Sequence, residues 1–322
     1  MKVGYVGSGH TSNFHIPALK NNGFNIEALG TTKNSESSKK ICEKYELIDK
    51  YCKGGWEEVV SSDVDAYVIC VKIEHTLEIL KKIIEKGKPV LVEKPINFYF
   101  KSLEEIKNNR FVENIFVGYN RRYFKTSIEL KNLCDNSEGG TVFVNIPDSE
   151  YGVKQFIANG CHMVDLTRYL LGDFEIISKI IKPNIQKSDI DYFSALCRNK
   201  KWTIIFNAHS LIPSNFSISI NSDKNVFELK PIEKLTIYDG MQIIEPTAKE
   251  PLRKYIPKIK YTLTEDSFYK PGFDLMYKHF KLFIKDRNYN YCGFDDAYET
   301  LRCCWELIES EVSKISELNL NY

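Results

Sequence analysis

The sequence begins MKVGYVGSGHTSNFHIPALKNNGF (residues 1–24), in which a glycine-rich turn separates an apolar run from a helical pattern. The run 2–6 predicts a short buried strand, and the turn Gly7-Ser8-Gly9 ends it. A helix follows at once, with Thr11 or Ser12 as its cap. A strand, a glycine turn and a helix start together present backbone N–H groups to a phosphate. Ser12 replaces the third glycine of the pattern G-x-G-x-x-G, but serine is small enough for close packing of helix and strand. The stretch therefore predicts a nucleotide site.

Length and composition indicate a globular chain of two domains. The 322 residues are 43% hydrophobic and 27% charged, which suffices for a core in each half. A formal net charge of +1 argues against nucleic acid or an acidic membrane surface as a partner. No run of about 18 apolar residues predicts a membrane span, and nothing at the N-terminus resembles a signal peptide. We expect a cytoplasmic protein.

The nine cysteines are scattered, odd in number and without C-x-x-C spacing. Cys161 and His162 are adjacent, yet no further cysteine or histidine lies at a spacing typical of zinc sites. We expect reduced, mostly buried thiols and no bound metal.

Apolar runs alternate with helical patterns through the first 118 residues. The segments KVGYV, NIEALG, DAYVICV, PVLVE and NIFVG are typical of buried parallel strands. Helices are predicted between them at 12–22, 35–45, 74–86 and 102–109, and Gly87 lies where a glycine ends a helix. This alternation predicts an α/β domain with right-handed crossovers and a doubly wound parallel sheet.

After residue 120 the pattern changes to short, closely spaced strands with few helices between them, which predicts a mainly antiparallel sheet. Helices are predicted near 125–135 and 160–171, and two more near 273–285 and 295–315 could pack back on the first domain. Tyr238-Asp239-Gly240-Met241 is typical of a two-residue hairpin turn. The proline-containing segment 246–262 indicates a long loop.

In a parallel sheet, ligands bind at the carboxyl ends of the strands. At the tip of the second strand an acidic residue would bind the ribose 2′-OH of NAD, but here Thr31, Thr32 and Lys33 follow the strand. Hydroxyls and a cation can bind a phosphate, so NADP is favoured over NAD. The alternative is a solvated loop that binds neither strongly.

Glu93, Lys94 and Pro95 follow the strand PVLVE at the same edge of the sheet. A lysine there can donate a proton to a reacting oxygen. The alternative is a surface lysine before a turn-forming proline.

Several motifs in this order resemble the glucose–fructose oxidoreductase, inositol dehydrogenase and MocA family of oxidoreductases. They are VGYVGSG (3–9), HIPAL (15–19), VLVEKP (90–95), VGYNRR (117–122) and NGCHMVDL (159–166). The resemblance covers essentially the whole chain. It implies NAD(P)-dependent hydride transfer at a hydroxyl or carbonyl carbon of a sugar, cyclitol or nucleotide sugar. It implies an α/β Rossmann domain with a doubly wound parallel sheet over residues 1–119, and a C-terminal α+β domain with a large, open and mainly antiparallel sheet over 120–322. It also implies a homodimer or homotetramer formed through the C-terminal sheet.

The resemblance assigns roles to particular residues. Lys94 would be the catalytic lysine, and His162 would relay the proton, with Asp165 orienting its imidazole or binding substrate. The cofactor would lie against Gly7, Ser8, Gly9, His10, Thr11, Thr31, Thr32, Lys33, Cys70, Val71, His75, Glu93 and Lys94. The substrate would contact Lys94, Arg121, Arg122, Tyr151, Asn159, His162 and Asp165. A guanidinium suits a carboxylate or phosphate, but the two arginines could equally form salt bridges between the domains.

Two positions depart from the family pattern. Ala158 stands four residues before His162, where many members carry an aspartate, and the loop from Val71 to His75 lacks a usual proline and is one residue shorter. These departures leave open a nucleotide-binding sensor without catalysis. A lyase or epimerase that uses its cofactor transiently is a third possibility. The sequence does not identify the substrate or the direction of reaction.

Overall fold

The structure is a computed structural model that divides the chain into two compact units. It describes the backbone of residues 1–148, 152–184, 189–266, 270–286, 289 and 291–316, and side chains as far as residue 309. Unit 1 comprises Met1–Tyr123 and Ser267–Cys303, and unit 2 comprises Phe124–Asp266 and Cys304–Tyr322. The sequence-based boundary lies after residue 119, whereas unit 1 extends to Tyr123 and also includes Ser267–Cys303.

In the described part of unit 1, five parallel strands form one sheet. They are β1 (Lys2–Gly7), β2 (Asn25–Gly30), β3 (Ala66–Cys70), β4 (Val90–Val92) and β5 (Ile115–Val117), in the order β2-β1-β3-β4-β5. The first strand lies between β2 and β3, so the chain crosses over in both directions from it. The predicted Rossmann sheet is confirmed.

Helices connect these strands much as the apolar periodicity predicts. They are α1 (Ser12–Asn21), α2 (Glu36–Lys44), α3 (Trp56–Ser61), α4 (Ile73–Ile84) and the short α5 (Glu104–Lys107). Gly87 has a φ of 63°, and its N–H donates to the carbonyl of Ile84 at 2.9 Å, so the glycine ends α4 as predicted. The short α3 was not predicted, because six residues carry too few apolar positions to show a helical period.

Unit 2 contains an eight-stranded sheet within its described residues. The strands are β6 (Gly140–Asp148), β7 (Glu175–Asn184), β8 (Asp189–Arg198), β9 (Trp202–Ser210), β10 (Ser217–Ser222), β11 (Asn225–Leu229), β12 (Lys234–Ile244) and β13 (Lys254–Thr264). Their order is β13-β12-β11-β10-β6-β9-β8-β7, and all neighbours are antiparallel except β6 and β9. The predicted open, mainly antiparallel sheet is confirmed.

Helices α6 (Lys125–Asp135), α7 (Val153–Gln155) and α8 (Cys161–Leu171) also belong to unit 2, and a π-helical turn, Phe156–Gly160, precedes α8. The chain then forms α9 (Phe273–Lys285) in unit 1 and α10 (Phe294–Ser316). No helix in the described ranges is both long and apolar enough to cross a membrane.

Two sequence predictions in the second half are wrong. The stretch Tyr238–Met241 is a bulge inside β12 rather than a hairpin turn. Gly240 has a φ of 77°, which lets the extra residues between Tyr238 and Met241 bulge out while the strand continues. Much of the segment 246–262, predicted as a loop, is strand β13. Pro257 is tolerated there because β13 is an edge strand.

The core of unit 1 depends on α9, which packs against α1. Its apolar side chains recur at helical spacing, and Met276, Tyr277, Phe280 and Phe283 have no exposed surface. Phe280 meets Phe116 of β5 edge-on, with ring centroids 5.4 Å apart. Burying each such side chain contributes roughly 1.5–3 kcal/mol. The last quarter of the chain therefore stabilises the first sheet.

Candidate functional site

The glycine turn after β1 is closed on one side and open on the other. A methyl group at Gly7 would lie 2.6 Å from the carbonyl oxygen of Cys70 on β3, so only glycine fits. A methyl group at Gly9 would have no atom within 4 Å. Helix α1 starts three residues later, and the side chain of Thr11 does not cap it, because its hydroxyl lies 3.2 Å from the thiol of Cys70. The open side of the turn thus faces an uncapped helix N-terminus, which fits the pyrophosphate of a dinucleotide.

Ser12, which replaces the third glycine, has a structural role. It is fully buried, and its hydroxyl accepts a hydrogen bond from the hydroxyl of Tyr5 at 3.0 Å. The substitution therefore keeps α1 close to β1, as its size predicts.

Hydroxyl groups cluster at the carboxyl end of β2. The hydroxyl of Thr31 lies 3.0 Å from that of Ser35 and 2.7 Å from that of Ser38. Ser8 of the glycine turn lies 2.7 Å from Ser37, which joins the turn to α2. Thr32 and Lys33 are exposed beside this cluster. Sequence reasoning missed the three serines, although the run NSESS directly follows Lys33.

A buried ion pair lies beneath the end of β4. The Nε2 atom of His15 is 2.8 Å from Oε1 of Glu93, and its Nδ1 atom is 2.7 Å from the hydroxyl of Tyr277 on α9. His15 has no exposed side-chain surface, and Glu93 has 15%. The backbone N–H of Lys94 donates to the other oxygen of Glu93 at 3.3 Å. The pair thereby fixes the backbone that carries Lys94.

The charges of this pair follow from its surroundings. Burial lowers the pKa of His15, but the neighbouring Cys70 and the Glu93 carboxylate outweigh it, so the pKa rises to about 10. Burial raises the pKa of Glu93, yet the hydrogen bond and charge of His15, with the charge of Lys94, hold it below its usual value. At neutral pH His15 is therefore an imidazolium that donates to both the carboxylate and Tyr277. The motif HIPAL contains His15, but sequence reasoning gave it no role, since Tyr277 lies 262 positions further on.

The remaining predicted residues of unit 1 lie in short connections. Helix α4 begins three residues after Cys70, so Val71 lies between β3 and α4 and the exposed His75 is in the helix's first turn. Arg121 and Arg122 lie in a 3₁₀ turn, Asn120–Tyr123, and Arg122 pairs with Asp296 of α10 at 3.1 Å. Both partners belong to unit 1, so this salt bridge is internal to the unit.

The predicted residues of unit 2 lie around the start of α8. His162 is 8% exposed and Asp165 is fully buried, both on α8. Asn159 lies in the π-helical turn, and its side-chain amide donates to Asp148, at the end of β6, at 3.4 Å. Gln155 donates to the same carboxylate at 2.7 Å. Sequence reasoning missed Asp148. Tyr151 lies outside the described residues.

All nine cysteines lie among the described residues and form no disulfide, and their predicted burial is confirmed. Among the residues whose placement is described, no group of three or more histidine, cysteine, aspartate or glutamate side chains could hold a metal ion.

Residues 1–110 match the sequence model of an oxidoreductase family with an NAD-binding Rossmann fold. The match covers about one third of the chain. The resemblance to glucose–fructose oxidoreductase, inositol dehydrogenase and MocA proteins is thus confirmed for the Rossmann segment.

Comparison with whole proteins extends the likeness. An inositol 2-dehydrogenase of Mycolicibacterium gilvum is 29% identical over 39% of this chain and 40% of its own length. The chain thus spans less than two thirds of that relative. A dehydrogenase from Chromobacterium violaceum has the same fold over 98% of this chain and 96% of its own, with a TM-score of 0.79 and 18% identity. A 3-ketoreductase from Actinomadura kijaniata, solved with TDP-benzene and NADP, has the same fold with a TM-score of 0.70. The alignment covers 96% of this chain and 97% of the 3-ketoreductase, with 12% identity.

Proposed function

We propose that the protein is an NAD(P)-dependent oxidoreductase acting at a CH–OH carbon of a sugar, cyclitol or nucleotide sugar. One observation carries the proposal: the open glycine turn and Lys94 lie at the carboxyl edge of one parallel sheet, and a buried ion pair holds the backbone before Lys94. Ligands bind at this edge in doubly wound sheets.

The candidate residues divide into those that bind the dinucleotide and those that act on the substrate. Gly7, Ser8, Gly9, His10 and Thr11 would hold the pyrophosphate, Thr31, Thr32 and Lys33 the adenosine ribose, and Cys70, Val71, His75 and Glu93 the nicotinamide end. The nicotinamide, when bound, supplies or accepts the hydride. The ammonium of Lys94 hydrogen-bonds the substrate oxygen and holds the proton there, and His162 passes that proton onward.

The hydroxyl cluster at the end of β2 supports a preference for NADP. Thr31 and Ser37 belong to a network of hydrogen-bonding hydroxyls, and Lys33 adds an exposed cation. A ribose 2′-phosphate can accept several such bonds, whereas NAD offers only a hydroxyl there. Glu36 is exposed in the first turn of α2, next to Ser37, and is the carboxylate that would oppose this preference.

The inositol 2-dehydrogenase similarity supports a polyol substrate. Asn159, His162 and Asp165 of unit 2, and Arg121 with Arg122 of unit 1, are the candidates to bind it. Arg122 can do so only while keeping or exchanging its salt bridge with Asp296.

The exposed face of the large sheet supports a homodimer or homotetramer. Strand register places Phe143, Ile205 and Leu196 in one row across β6, β9 and β8, and Phe143 is 45% exposed. Contiguous apolar surface of this kind is typical of subunit interfaces. The buried, reduced cysteines are consistent with a cytoplasmic protein.

Replacement of Lys94 tests the proposal. Lys94→Ala should abolish NADPH consumption with keto-sugars and inosose while leaving NADPH affinity within about threefold of wild type. Lys81→Ala, a change of a partly exposed lysine on α4, is the control and should keep full activity. Unchanged turnover in Lys94→Ala would refute the catalytic role.

A nucleotide-binding sensor without catalysis is the second candidate, and Ala158 favours it because no carboxylate stands there. The same assays separate the two. A sensor would bind NADPH, as followed by fluorescence, and would turn over no substrate even as the unmodified protein.

A further inference from the structure

At Lys94 the backbone leaves the first sheet, and a side chain receives its N–H. The N–H of Glu93, directly after β4, still donates to the carbonyl of Ile69 on β3 at 2.9 Å. The next N–H, that of Lys94, donates instead to the Oε2 atom of Glu93 at 3.3 Å. The carboxylate of Glu93 therefore helps to determine the direction in which the chain continues at Lys94.

The carboxylate that accepts this bond is itself held in place. Its Oε1 atom accepts a hydrogen bond from Nε2 of His15 at 2.8 Å. Gly118 lies against the same oxygen, since a methyl group at this position would be only 3.2 Å from it. The carboxylate of Glu93 is thus bonded to a buried side chain of α1 and has little room to turn.

Helix α9 orients the imidazole of His15. The Nδ1 atom lies 2.7 Å from the hydroxyl of Tyr277, which accepts its hydrogen bond. The ring of Phe273 meets the imidazole edge-on, with centroids 4.8 Å apart, and His15 has no exposed surface. Because both ring nitrogens are bonded, turning the ring would leave buried N–H groups without partners, which is costly. The hydroxyl of Tyr277 therefore determines the angle at which His15 meets Glu93.

Tyr277 has a rigid surrounding. It has no exposed surface, and its ring packs against those of Phe24 and Phe280, with centroids 6.1 and 6.4 Å from its own. Phe280 lies one turn further along α9 and contacts Phe116 of β5. The hydroxyl of Tyr277 thus has a fixed position relative to the first sheet, and it is too deeply buried to touch a cofactor or a substrate.

We propose that Tyr277 is a positioning residue for Lys94. Its hydroxyl orients the imidazole of His15, which in turn holds the carboxylate of Glu93. A lysine side chain is long and flexible, so its ammonium is placed accurately only if the backbone that carries it is fixed. The inference rests on the proposed function and deepens it, because it makes α9, near the other end of the chain, a determinant of the reaction rate.

The test removes the hydroxyl of Tyr277 alone. In Tyr277→Phe without cofactor, hydrogen–deuterium exchange of the backbone at 92–96, followed by mass spectrometry, should be at least tenfold faster than in wild type. With NADPH and a substrate that wild type reduces, kcat should fall by about 10- to 100-fold, since a catalytic group misplaced by about 1 Å has an effect of this size. KM and the Kd for NADPH should stay within about threefold of wild type.

Tyr289→Phe is the matched control. It removes a hydrogen bond of the same kind and length, between the hydroxyl of Tyr289 and Nδ1 of His279 at 2.7 Å, elsewhere in unit 1. This variant should keep the exchange rate at 92–96 and the kcat of wild type. Circular dichroism shows whether each variant folds, and His15→Gln supplies a second variant if Tyr277→Phe does not.

Wild-type exchange at 92–96 in Tyr277→Phe overturns the inference, and so does a wild-type kcat. A raised KM with unchanged kcat also overturns it, because positioning of Lys94 should act on the rate. A loss of kcat in Tyr289→Phe equal to that in Tyr277→Phe would show a general effect of stability and likewise count against the inference.

The outcome is separable from that of the proposed function. Faster exchange at 92–96 in Tyr277→Phe, in a protein that turns over no substrate, supports the positioning of Lys94 and counts against the enzyme. Loss of turnover in Lys94→Ala together with full turnover in Tyr277→Phe supports the enzyme and counts against the role of Tyr277.

Discussion

The imidazole of His15 lies 2.8 Å from the carboxylate of Glu93, the residue directly before Lys94. The pair joins the first helix of unit 1 to the end of β4, and Tyr277 joins both to α9. Three segments that are far apart in sequence thus fix the backbone at one lysine.

The His15–Glu93 pair should make stability depend on pH in a defined window. The pKa of His15 is about 10 in the folded protein and 6.5 in the unfolded chain. The contribution of His15 to the free energy of unfolding is therefore complete below pH 6.5 and is lost as the pH rises through 10. Glu93, with its pKa lowered from 4.5, contributes fully above that pH. His15→Gln should cost about 3 kcal/mol at pH 6, and this difference should shrink toward pH 10. Urea unfolding at several pH values measures it.

His279 provides the control for that experiment. Burial lowers the pKa of His279, and Lys278 lowers it further, so its contribution is present above pH 6.5 and is lost as the pH falls below it. His279→Gln should therefore change the slope of stability below pH 6.5 and leave the slope between 7 and 10 as in wild type. A steady cost for His15→Gln from pH 6 to 10 would contradict the assigned charge.

The two glycines of the first turn should respond differently to alanine. Gly7→Ala places a methyl group 2.6 Å from a backbone oxygen, so it should lower the free energy of unfolding by about 1–3 kcal/mol. Gly9→Ala meets no atom and should change stability by less than about 0.5 kcal/mol, yet weaken NADPH binding at least tenfold. Denaturant titration and fluorescence quenching measure the two effects. Wild-type NADPH affinity in Gly9→Ala would show that the dinucleotide lies elsewhere.

Charge reversal at the end of β2 should change cofactor choice. Lys33→Glu puts a carboxylate where the 2′-phosphate is proposed to bind, so the Kd for NADPH should rise at least tenfold while that for NADH stays the same or falls. Lys86→Glu, an exposed lysine after α4, is the control and should change neither value. If Lys33→Glu raised the Kd values for NADPH and NADH by the same factor, this position would not discriminate between the two cofactors.

A charge on the exposed face of the large sheet should dissociate the proposed oligomer. Phe143→Glu or Leu196→Glu places a carboxylate in the apolar row of β6, β9 and β8, where burial against a second copy would be costly. Light scattering coupled to size exclusion should show a dimer or tetramer for wild type and a monomer for these variants. Lys224→Glu, in an exposed turn between β10 and β11, should leave the mass unchanged. A monomeric wild type would contradict the proposed interface.

Sequence reasoning succeeds here where the signal is local. Helices α6 and α9 have the predicted limits because their apolar residues recur at a helical period. Strand β13 was missed because Pro246, Pro251 and Pro257 are typical of a loop, although apolar and polar residues alternate from Ile259 to Thr264. In the candidate site, the sequence placed Gly7, Gly9 and Lys94 at strand ends because each lies at or just after the end of an apolar run. The partners of Glu93 and the position of Asp148 could not, because long-range packing brings Tyr277 to His15 and a turn of π-helix brings Asn159 to Asp148.

Helix α9 follows most of unit 2 in the sequence but belongs to unit 1, and this order affects folding during synthesis. Until the ribosome has translated Tyr277 and Phe280, the nascent chain lacks the side chains that cover Phe24 and Phe116 and that hold His15. Unit 1 therefore completes its folding only after residues 124–266 of unit 2 have emerged, and a fragment ending near residue 123 would expose this aromatic surface to chaperones or to aggregation.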